Sequence, residues 1–237
     1  RVLNYNDYGS YGQTLLIVTF ASTFLSFGLS QIIYVYLNKE ESTNNVVSSN
    51  IFAAFFMGLI GFAFVALSGS FFASWLNNPS LDSLLFIFAF SLPLSLPYLS
   101  INSFLIFKNR VKLSASLAVA TNIIKVVLVV TAIQLYGSIS LALLGILTCQ
   151  LIQLILGLFF TRKQLVMKID KRLFFTQLKK GFPLGLTGVL GAGILYIDGI
   201  MVSKIEGIEA YAIYRNGAIE VPFISTIYTS IAAIILP

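Results

Sequence analysis

Long apolar runs separated by short polar segments dominate the sequence. Each run holds about 20 or more predominantly apolar residues, the length that a helix needs to cross a hydrocarbon core about 30 Å thick. Seven stretches qualify, at 13–37, 50–75, 84–107, 113–136, 139–160, 182–202 and 208–236. Because backbone groups inside a bilayer must pair within their own segment, each run predicts a helix. The pattern therefore predicts an all-α polytopic membrane protein with about seven transmembrane helices.

Basic residues are concentrated in alternate loops. One set of loops contains Lys39, the basic segment 108–112 and the strongly basic segment 162–180. The other set contains only Arg1 and Lys204. Since short cytoplasmic loops are enriched in Lys and Arg, the first set is predicted to lie in the cytoplasm.

Composition excludes several classes of protein. The chain is 57% hydrophobic and 10% charged, against about 45–50% and about 25% for soluble domains. It has no histidine and one cysteine, Cys149, so it lacks a disulfide framework and a plausible zinc, haem or iron–sulfur ligand set. We therefore expect no cofactor. The net charge of +6 is spread between apolar runs, which does not favour nucleic acid as a partner.

A short internal repeat predicts two related halves. Tyr-Gly-Ser-Tyr at 8–11 matches Tyr-Ala-Ile-Tyr at 211–214, and the basic-aliphatic pair at 1–2 matches the pair at 204–205 with the same offset. The offset spans six helices, an even number, so the two units point the same way, as in transporters whose halves are related by an axis along the membrane normal.

The repeat also predicts how the chain is divided. We expect 1–161 to be a first lobe that lacks its first helix, 162–181 a cytoplasmic linker, and 182–237 the start of a second lobe. The sequence is on this interpretation a piece of a longer protein, with one further helix before residue 1 and more helices after residue 237.

The linker contains a predicted short amphipathic helix. Asp170 is a suitable N-cap for a helix at 171–180, which Gly181 would close. Phe174, Phe175 and Leu178 form the apolar side of this helix. The basic residues Arg172 and Lys179 lie next to that side. This pattern is typical of a segment that lies on an anionic membrane surface. An ordinary solvated basic loop is the alternative.

Several motifs carry a resemblance to a known family. The segment RVLNYNDYGSYG at 1–12 resembles the stretch R-x-L-x-x-x-D/E-Y/F-G-x-Y/F that follows the first helix in polysaccharide-biosynthesis flippases, including O-antigen translocases, of the multidrug/oligosaccharidyl-lipid/polysaccharide superfamily. The segments FPL at 182–184, YIDGIMV at 196–202, 207–214 and ILP at 235–237 resemble the seventh and eighth helices of that family.

The resemblance implies a two-lobed transporter of 12–14 helices around a central cavity, working by alternating access. It implies export of polyprenyl-pyrophosphate-linked oligosaccharide for O-antigen, capsule or a related polymer across the cytoplasmic membrane of a bacterium or archaeon. The implied partners are the lipid-linked glycan, membrane lipids, and a polysaccharide polymerase or glycosyltransferases encoded nearby.

Lys125 is the sharpest candidate for a substrate contact. It lies midway along the run 113–136, where an unpaired cation costs at least ~2.5 kcal/mol, so it should not face lipid. Asn122 shares its small and polar helix face. One interpretation is a cationic contact for phosphate inside the cavity, and the other is a structural pair with a carboxylate from another helix.

Asp198 and Glu220 are the candidate acidic residues of the outer halves of the last two runs. Each is costly in a membrane unless it is paired, hydrated or protonated. They could form a proton or sodium site or part of a sugar pocket. The alternative is a hydrated salt link to Arg215 or Lys204.

Two other functions are alternatives to a flippase. A membrane-embedded transferase needs clustered acids, histidines or metal ligands at a membrane boundary, and the sequence has none, so we expect no enzyme activity. A drug or organic-cation antiporter of the same superfamily is the closer alternative. It predicts an acidic cavity without a central cation, and Lys125 argues against it.

Overall fold

A computed structural model gives the structure of the protein and describes residues 3–38, 42–166 and 170–218. Every regular element within these residues is a helix. The α-helices are α1 (Tyr5–Leu25), α2 (Leu29–Leu37), α3 (Thr43–Leu67), α4 (Gly69–Trp75), α5 (Leu81–Ala89), α6 (Ser91–Phe107), α7 (Val111–Tyr136), α8 (Ile139–Thr161), α9 (Lys171–Ile205) and α10 (Gly207–Gly217). A 3₁₀ turn at Arg162–Gln164 follows α8.

The helices have the length and apolarity of membrane spans. Five stretches in the described part of the chain qualify, namely Tyr5–Leu37, Thr43–Leu67, Leu81–Phe107, Val111–Tyr136 and Ile139–Gln164. Helix α9 makes a sixth if its two halves, which bend by 48° between Ile194 and Tyr196, count as one span. The predicted all-α polytopic membrane fold is confirmed. Most of the predicted seventh span, 208–236, lies outside the described residues, so that span stays a prediction.

Helix α9 differs from the sequence prediction. It begins as expected, because the Asp170 carboxylate accepts hydrogen bonds from the backbone N–H groups of Arg172 at 2.8 Å and Leu173 at 3.2 Å. The predicted end at Gly181 is wrong, since the helix continues to Ile205. At 1.5 Å per residue its 35 residues extend about 52 Å, well beyond the hydrocarbon core.

Gly181 serves helix packing and not helix termination. A Cβ atom at this position would overlap the carbonyl oxygen of Phe27, and a Cβ at Gly185 would lie 2.8 Å from the Phe27 Cα. Phe27 and Gly28 form the break between α1 and α2, with φ angles of 46° and 63°. The missing side chains therefore let α9 cross this break backbone to backbone.

The start of α9 is also docked on protein. Phe174 is 9% exposed and Gln177 is fully buried. The ring of Phe174 packs against Phe52 of α3, and the amide of Gln177 donates a hydrogen bond to the Val46 carbonyl of the same helix. Only Phe175 of the predicted apolar side is strongly exposed, at 67%. The segment 171–180 thus turns one face to the bundle and leaves its basic residues outside.

The remaining helices pack around α6. Helix α3 lies along α6, α8 packs on both α6 and α7, and α1 lies between this group and the pair α9 and α10. Gly58 and Pro93 mark a close contact between α3 and α6, where a Cβ on Gly58 would lie 2.6 Å from the Pro93 Cα. Helix α7 is the most peripheral, with Val119, Ile123 and Val126 about 60% exposed. We call the end with Lys108, Arg162 and Lys171 the basic end.

Candidate functional site

A cavity of about 690 Å³ lies between α1, α5, α6, α7 and α8. We call it the lysine cavity, because Lys125 of α7 is the charged residue in its lining. The other polar lining residues are Tyr11, Thr19, Ser22, Ser91, Ser95, Tyr98, Gln150 and Gln153. The position of Lys125 near the middle of α7 and of Thr19 near the middle of the first span places the cavity at mid-membrane depth.

The ammonium group of Lys125 has no ion-pair partner among residues 3–38, 42–166 and 170–218, and no acidic residue lines the lysine cavity. Gln150 of α8 faces the same space, and its buried Oε1 lacks a hydrogen-bond donor in that part of the chain. Gln153 Nε2 donates to Thr121 Oγ1 at 2.6 Å. The cavity thus combines a cation that lacks a counter-charge with an amide acceptor that lacks a donor.

Asn122 is not brought to this cavity. It lies one turn from Lys125 on α7, is exposed, and lines neither this cavity nor the one described next. Gln150 and Gln153 are not among the functional residues predicted from the sequence. Their i, i+3 spacing on the apolar helix α8 was the available signal, because such amides share one helix face.

A second cavity, of about 470 Å³, lies between α1, α9 and α10. We call it the tyrosine cavity, after Tyr196, Tyr211 and Tyr214 in its lining. Asp198 and Arg215 line it as well. The site therefore offers aromatic faces together with one carboxylate and one guanidinium, a mixture that suits a polar ligand with apolar C–H surfaces.

Asp198 and Arg215 have separate partners in the tyrosine cavity. The hydroxyl of Tyr214 donates to Asp198 Oδ2. The guanidinium carbon of Arg215 lies 5.9 Å from the ring centre of Tyr8 and 5.8 Å from that of Tyr11, which are cation–π distances. Within the described ranges Asp198 forms no ion pair with Arg215 or with Lys204, whose Nζ donates to the Trp75 carbonyl at 2.5 Å.

The two segments that the internal repeat pairs are in contact here. Helix α1, with Tyr8 and Tyr11, packs on α10, with its own two tyrosines, and Arg215 lies between them. Two glycines of α1 permit this approach. A Cβ on Gly9 would lie 2.5 Å from the Ile208 carbonyl oxygen, and one on Gly12 would overlap the Arg215 guanidinium. The repeat was the signal in the sequence that could have indicated these tyrosines.

The lysine and tyrosine cavities adjoin. Leu15 and Thr19 of α1 line both of them. Lys125 thus lines the cavity on one side of α1, and Asp198 and Arg215 line the cavity on the other side. We call the two cavities together the cleft. Glu220, the remaining candidate from the sequence, lies outside the described residues, and its role stays a prediction.

Comparison with known proteins decides the family. A family model described as "Polysaccharide biosynthesis protein" matches residues 1–237, the whole of the chain. The chain belongs to this family. No curated protein and no solved structure shows significant similarity to it. The family predicted from the motifs at 1–12 and 182–237 is confirmed, and the wider superfamily stays a prediction.

Family membership gives the cleft a chemical context. The family is described as one of polysaccharide biosynthesis, and the tyrosine cavity has the aromatic faces, carboxylate and guanidinium that can contact sugar rings and hydroxyl groups. The lysine cavity adds a cation at mid-membrane depth. The candidate residues Lys125, Asp198 and Arg215 all line this one cleft.

Proposed function

We propose that this protein is a flippase that moves polyprenyl-pyrophosphate-linked oligosaccharide across the cytoplasmic membrane of a bacterium or archaeon. The observation that carries the proposal is Lys125, a half-buried cation that lines a cavity at mid-membrane depth and lacks a counter-charge among the described residues. A cation at this depth in a membrane is costly unless it is paired or hydrated. A pyrophosphate that passes through the cavity supplies the missing negative charge.

The rest of the cleft fits the other parts of such a substrate. Gln150 Oε1, which lacks a donor within the described ranges, can accept a hydrogen bond from a sugar hydroxyl. The tyrosine cavity offers ring faces to a glycan. The lipid tail does not need to enter the cleft, because it can stay in the bilayer while the head group crosses by alternating access.

An anionic substrate fits the lysine cavity better than an organic cation. A cation antiporter requires carboxylates where the charge of its substrate passes, and the lining of the lysine cavity contains none. The polar groups of this cavity are one ammonium, amides and hydroxyls, which bind and orient a ligand. We therefore propose transport and not catalysis. Asp198, hydrogen-bonded to Tyr214, is our candidate for coupling to a proton or sodium gradient, with Glu220 as the second.

The test is complementation of a flippase-null strain with Lys125 variants of the full-length protein. Lys125→Ala should abolish display of the surface polymer while the membrane fraction contains the normal amount of protein. Lys125→Arg should retain part of the activity, because the charge persists but the planar guanidinium differs from a point ammonium. Asn122→Ala, one turn away and outside the cleft, is the matched control and should display normally.

Two outcomes would contradict the proposal. Full polymer display by Lys125→Ala at wild-type abundance would show that the cation does not contact the substrate. Loss of protein in Lys125→Ala that Glu220→Gln restores would show a structural ion pair, because the second change removes the carboxylate left unpaired.

A further inference from the structure

A separate polar cavity lies at the basic end, away from the cleft. Its volume is about 380 Å³. It is formed where the end of α2, the start of α3 and the start of α9 meet, and its lining includes Tyr36, Ser42, Asn45, Asp170, Arg172 and Lys180. We call it the basic-end pocket. The pocket shares no lining residue with the cleft, and the proposed transport step does not involve it.

Two cations of α9 line the basic-end pocket. Arg172 and Lys180 are eight residues apart, which places them on the same side of the helix. The Nζ of Lys180 lies 5.6 Å from the ring centre of Tyr36. Neither cation forms an ion pair within the residues that the structure describes. The one carboxylate in the lining, that of Asp170, accepts the N–H groups of Arg172 and Leu173 as the cap of α9.

Tyr36 provides an independent sign of a ligand. Its side chain is 4% exposed, and its buried hydroxyl has no hydrogen-bond partner in the described part of the chain. Leaving such a group unpaired costs about 1–3 kcal/mol. Tyr36 lines the pocket together with both cations, so its unpaired hydroxyl is a candidate third donor to an anion bound there.

The start of α3 adds a third contribution. Ser42 is the N-cap of this 25-residue helix, but its side chain makes no capping hydrogen bond. The first N–H groups of a helix carry partial positive charge and bind anions when no side chain caps them. Ser42 and Asn45 bring this helix end to the wall of the pocket that faces α9.

We infer that the basic-end pocket binds a phosphate group, and that the phosphate belongs to the head group of an anionic membrane lipid. Two cations, an uncapped helix start and an unpaired hydroxyl are the donors that phosphate oxygens accept from. The pocket lies at the end of the molecule that the charge distribution predicts to be cytoplasmic, where anionic head groups attract basic segments. A lipid bound there would bridge α2, α3 and α9 at the membrane surface.

The experiment measures lipid binding by the purified full-length protein. The protein is placed in phosphatidylcholine nanodiscs, phosphatidylglycerol is titrated, and retained lipid is counted by native mass spectrometry. Arg172→Gln/Lys180→Gln should bind phosphatidylglycerol at least about tenfold more weakly, since hydrogen bonds to charged groups contribute more than neutral ones. Tyr36→Phe should weaken binding by roughly threefold, the effect of one hydroxyl.

The matched control removes the same charge from the same helix outside the pocket. Lys171 and Lys179 are exposed and do not line the pocket, so Lys171→Gln/Lys179→Gln should bind as the wild type does within about twofold, the effect expected of screened surface charges. An equal loss in both double variants would overturn the inference, because only the overall charge would then matter.

Two further measurements decide the source of the phosphate and the role of neighbouring acids. Inorganic phosphate should not displace phosphatidylglycerol, and displacement at millimolar concentration would overturn the assignment to a lipid head group. Glu40→Gln/Glu41→Gln removes the acidic residues that precede Ser42 in the sequence and should bind with equal or higher affinity. Weaker binding by this variant would contradict a site built on the cations.

Discussion

Helix α9 is attached to the other helices at two places, and the two attachments are built differently. Away from the basic end, a polar cluster ties α9 to α1 and to the segment between α4 and α5. Gln13 Nε2 donates to Ser203 Oγ at 2.6 Å, and Asn78 Nδ2 donates to Gln13 Oε1 at 2.6 Å. Ser10 and Ser80 complete the hydrogen bonds of Asn78. We call these five residues the outer cluster.

At the basic end the attachment has fewer side-chain hydrogen bonds. Asn50 Nδ2 donates to Gln177 Oε1 at 2.8 Å, and Gln177 Nε2 donates to the Val46 carbonyl at 3.3 Å. Asn50 Oδ1 and the hydroxyl of Ser49 are buried and have no partner among the described residues. We call Asn50 and Gln177 the inner pair. Next to it, Gly181 lies against the backbone of Phe27.

The comparison shows that similar burial does not mean similar attachment. The outer cluster depends on a set of side chains that satisfy one another, whereas the inner attachment depends on backbone contact at glycines and tolerates unpaired acceptors. The unpaired Asn50 Oδ1 costs about 1–3 kcal/mol, so we expect the inner pair to stabilise the attachment of α9 less than the outer cluster does. Both attachments are formed in this structure, and the proposed alternating access would require each to open in turn.

The largest effect should come from filling the glycine contact. Gly181→Ala places a Cβ against the Phe27 carbonyl oxygen, which a backbone shift must relieve at a cost of about 2–3 kcal/mol. Thermal unfolding of the purified protein in detergent measures the change. Gly193→Ala is the matched control on the same helix, because no atom lies within 4 Å of its Cβ position. It should be neutral or stabilising by about 0.5–1 kcal/mol. Equal stability of the two variants would show that the backbone contact at Gly181 does not stabilise the inner attachment.

An intermediate effect is expected from the outer cluster. Gln13→Leu keeps the approximate volume of the side chain but removes the bonds to Ser203 and Asn78. We expect a loss of about 1–2 kcal/mol, because two buried partners are left without this amide and hydrogen bonds between membrane helices have modest net strength. The same unfolding measurement applies. A variant as stable as the wild type would show that the outer cluster does not hold α9.

The smallest effect should come from the inner pair, and a double-mutant cycle tests it. Gln177→Leu alone should cost about 1 kcal/mol, because it leaves the buried Asn50 amide short of an acceptor. Adding Asn50→Leu should restore most of the stability, since the double variant also removes the unpaired Asn50 Oδ1. If the two losses simply add, the amides do not act as a pair and the contrast with the outer cluster fails.

Local features of the fold could be predicted from the sequence. The apolar runs predicted the helical spans because spanning depends on length and composition alone. Asp170 was predicted as a cap because capping involves only the next three residues. Gly181 misled the prediction, since glycine both ends helices and permits close packing. The sequence shows the residue and not the Phe27 backbone that it faces.

Some residues of the candidate site could be predicted from the sequence and others could not. Lys125, Asp198 and Arg215 could be singled out because a charge inside an apolar run is costly wherever the helix packs. Gln150 and Tyr211 had weaker signals, a shared helix face and the internal repeat, because amides and tyrosines in membrane helices are common in ordinary packing. Asn122 shares the predicted helix face of Lys125 but lines neither cavity. Which face of a helix meets a cavity depends on its neighbours.

The sequence by itself determined the class of protein, its family and the charges that the membrane must accommodate, because hydropathy, motif spacing and charge act locally along the chain. The tertiary structure decided that Lys125 shares a cleft with residues some 70 to 90 positions away, that α9 passes through Gly181 without ending, and that Arg172, Lys180 and Tyr36 enclose one pocket. These are contacts between helix faces. They depend on how far each helix is rotated and shifted against the next, and side-chain volumes on both helices set that fit together.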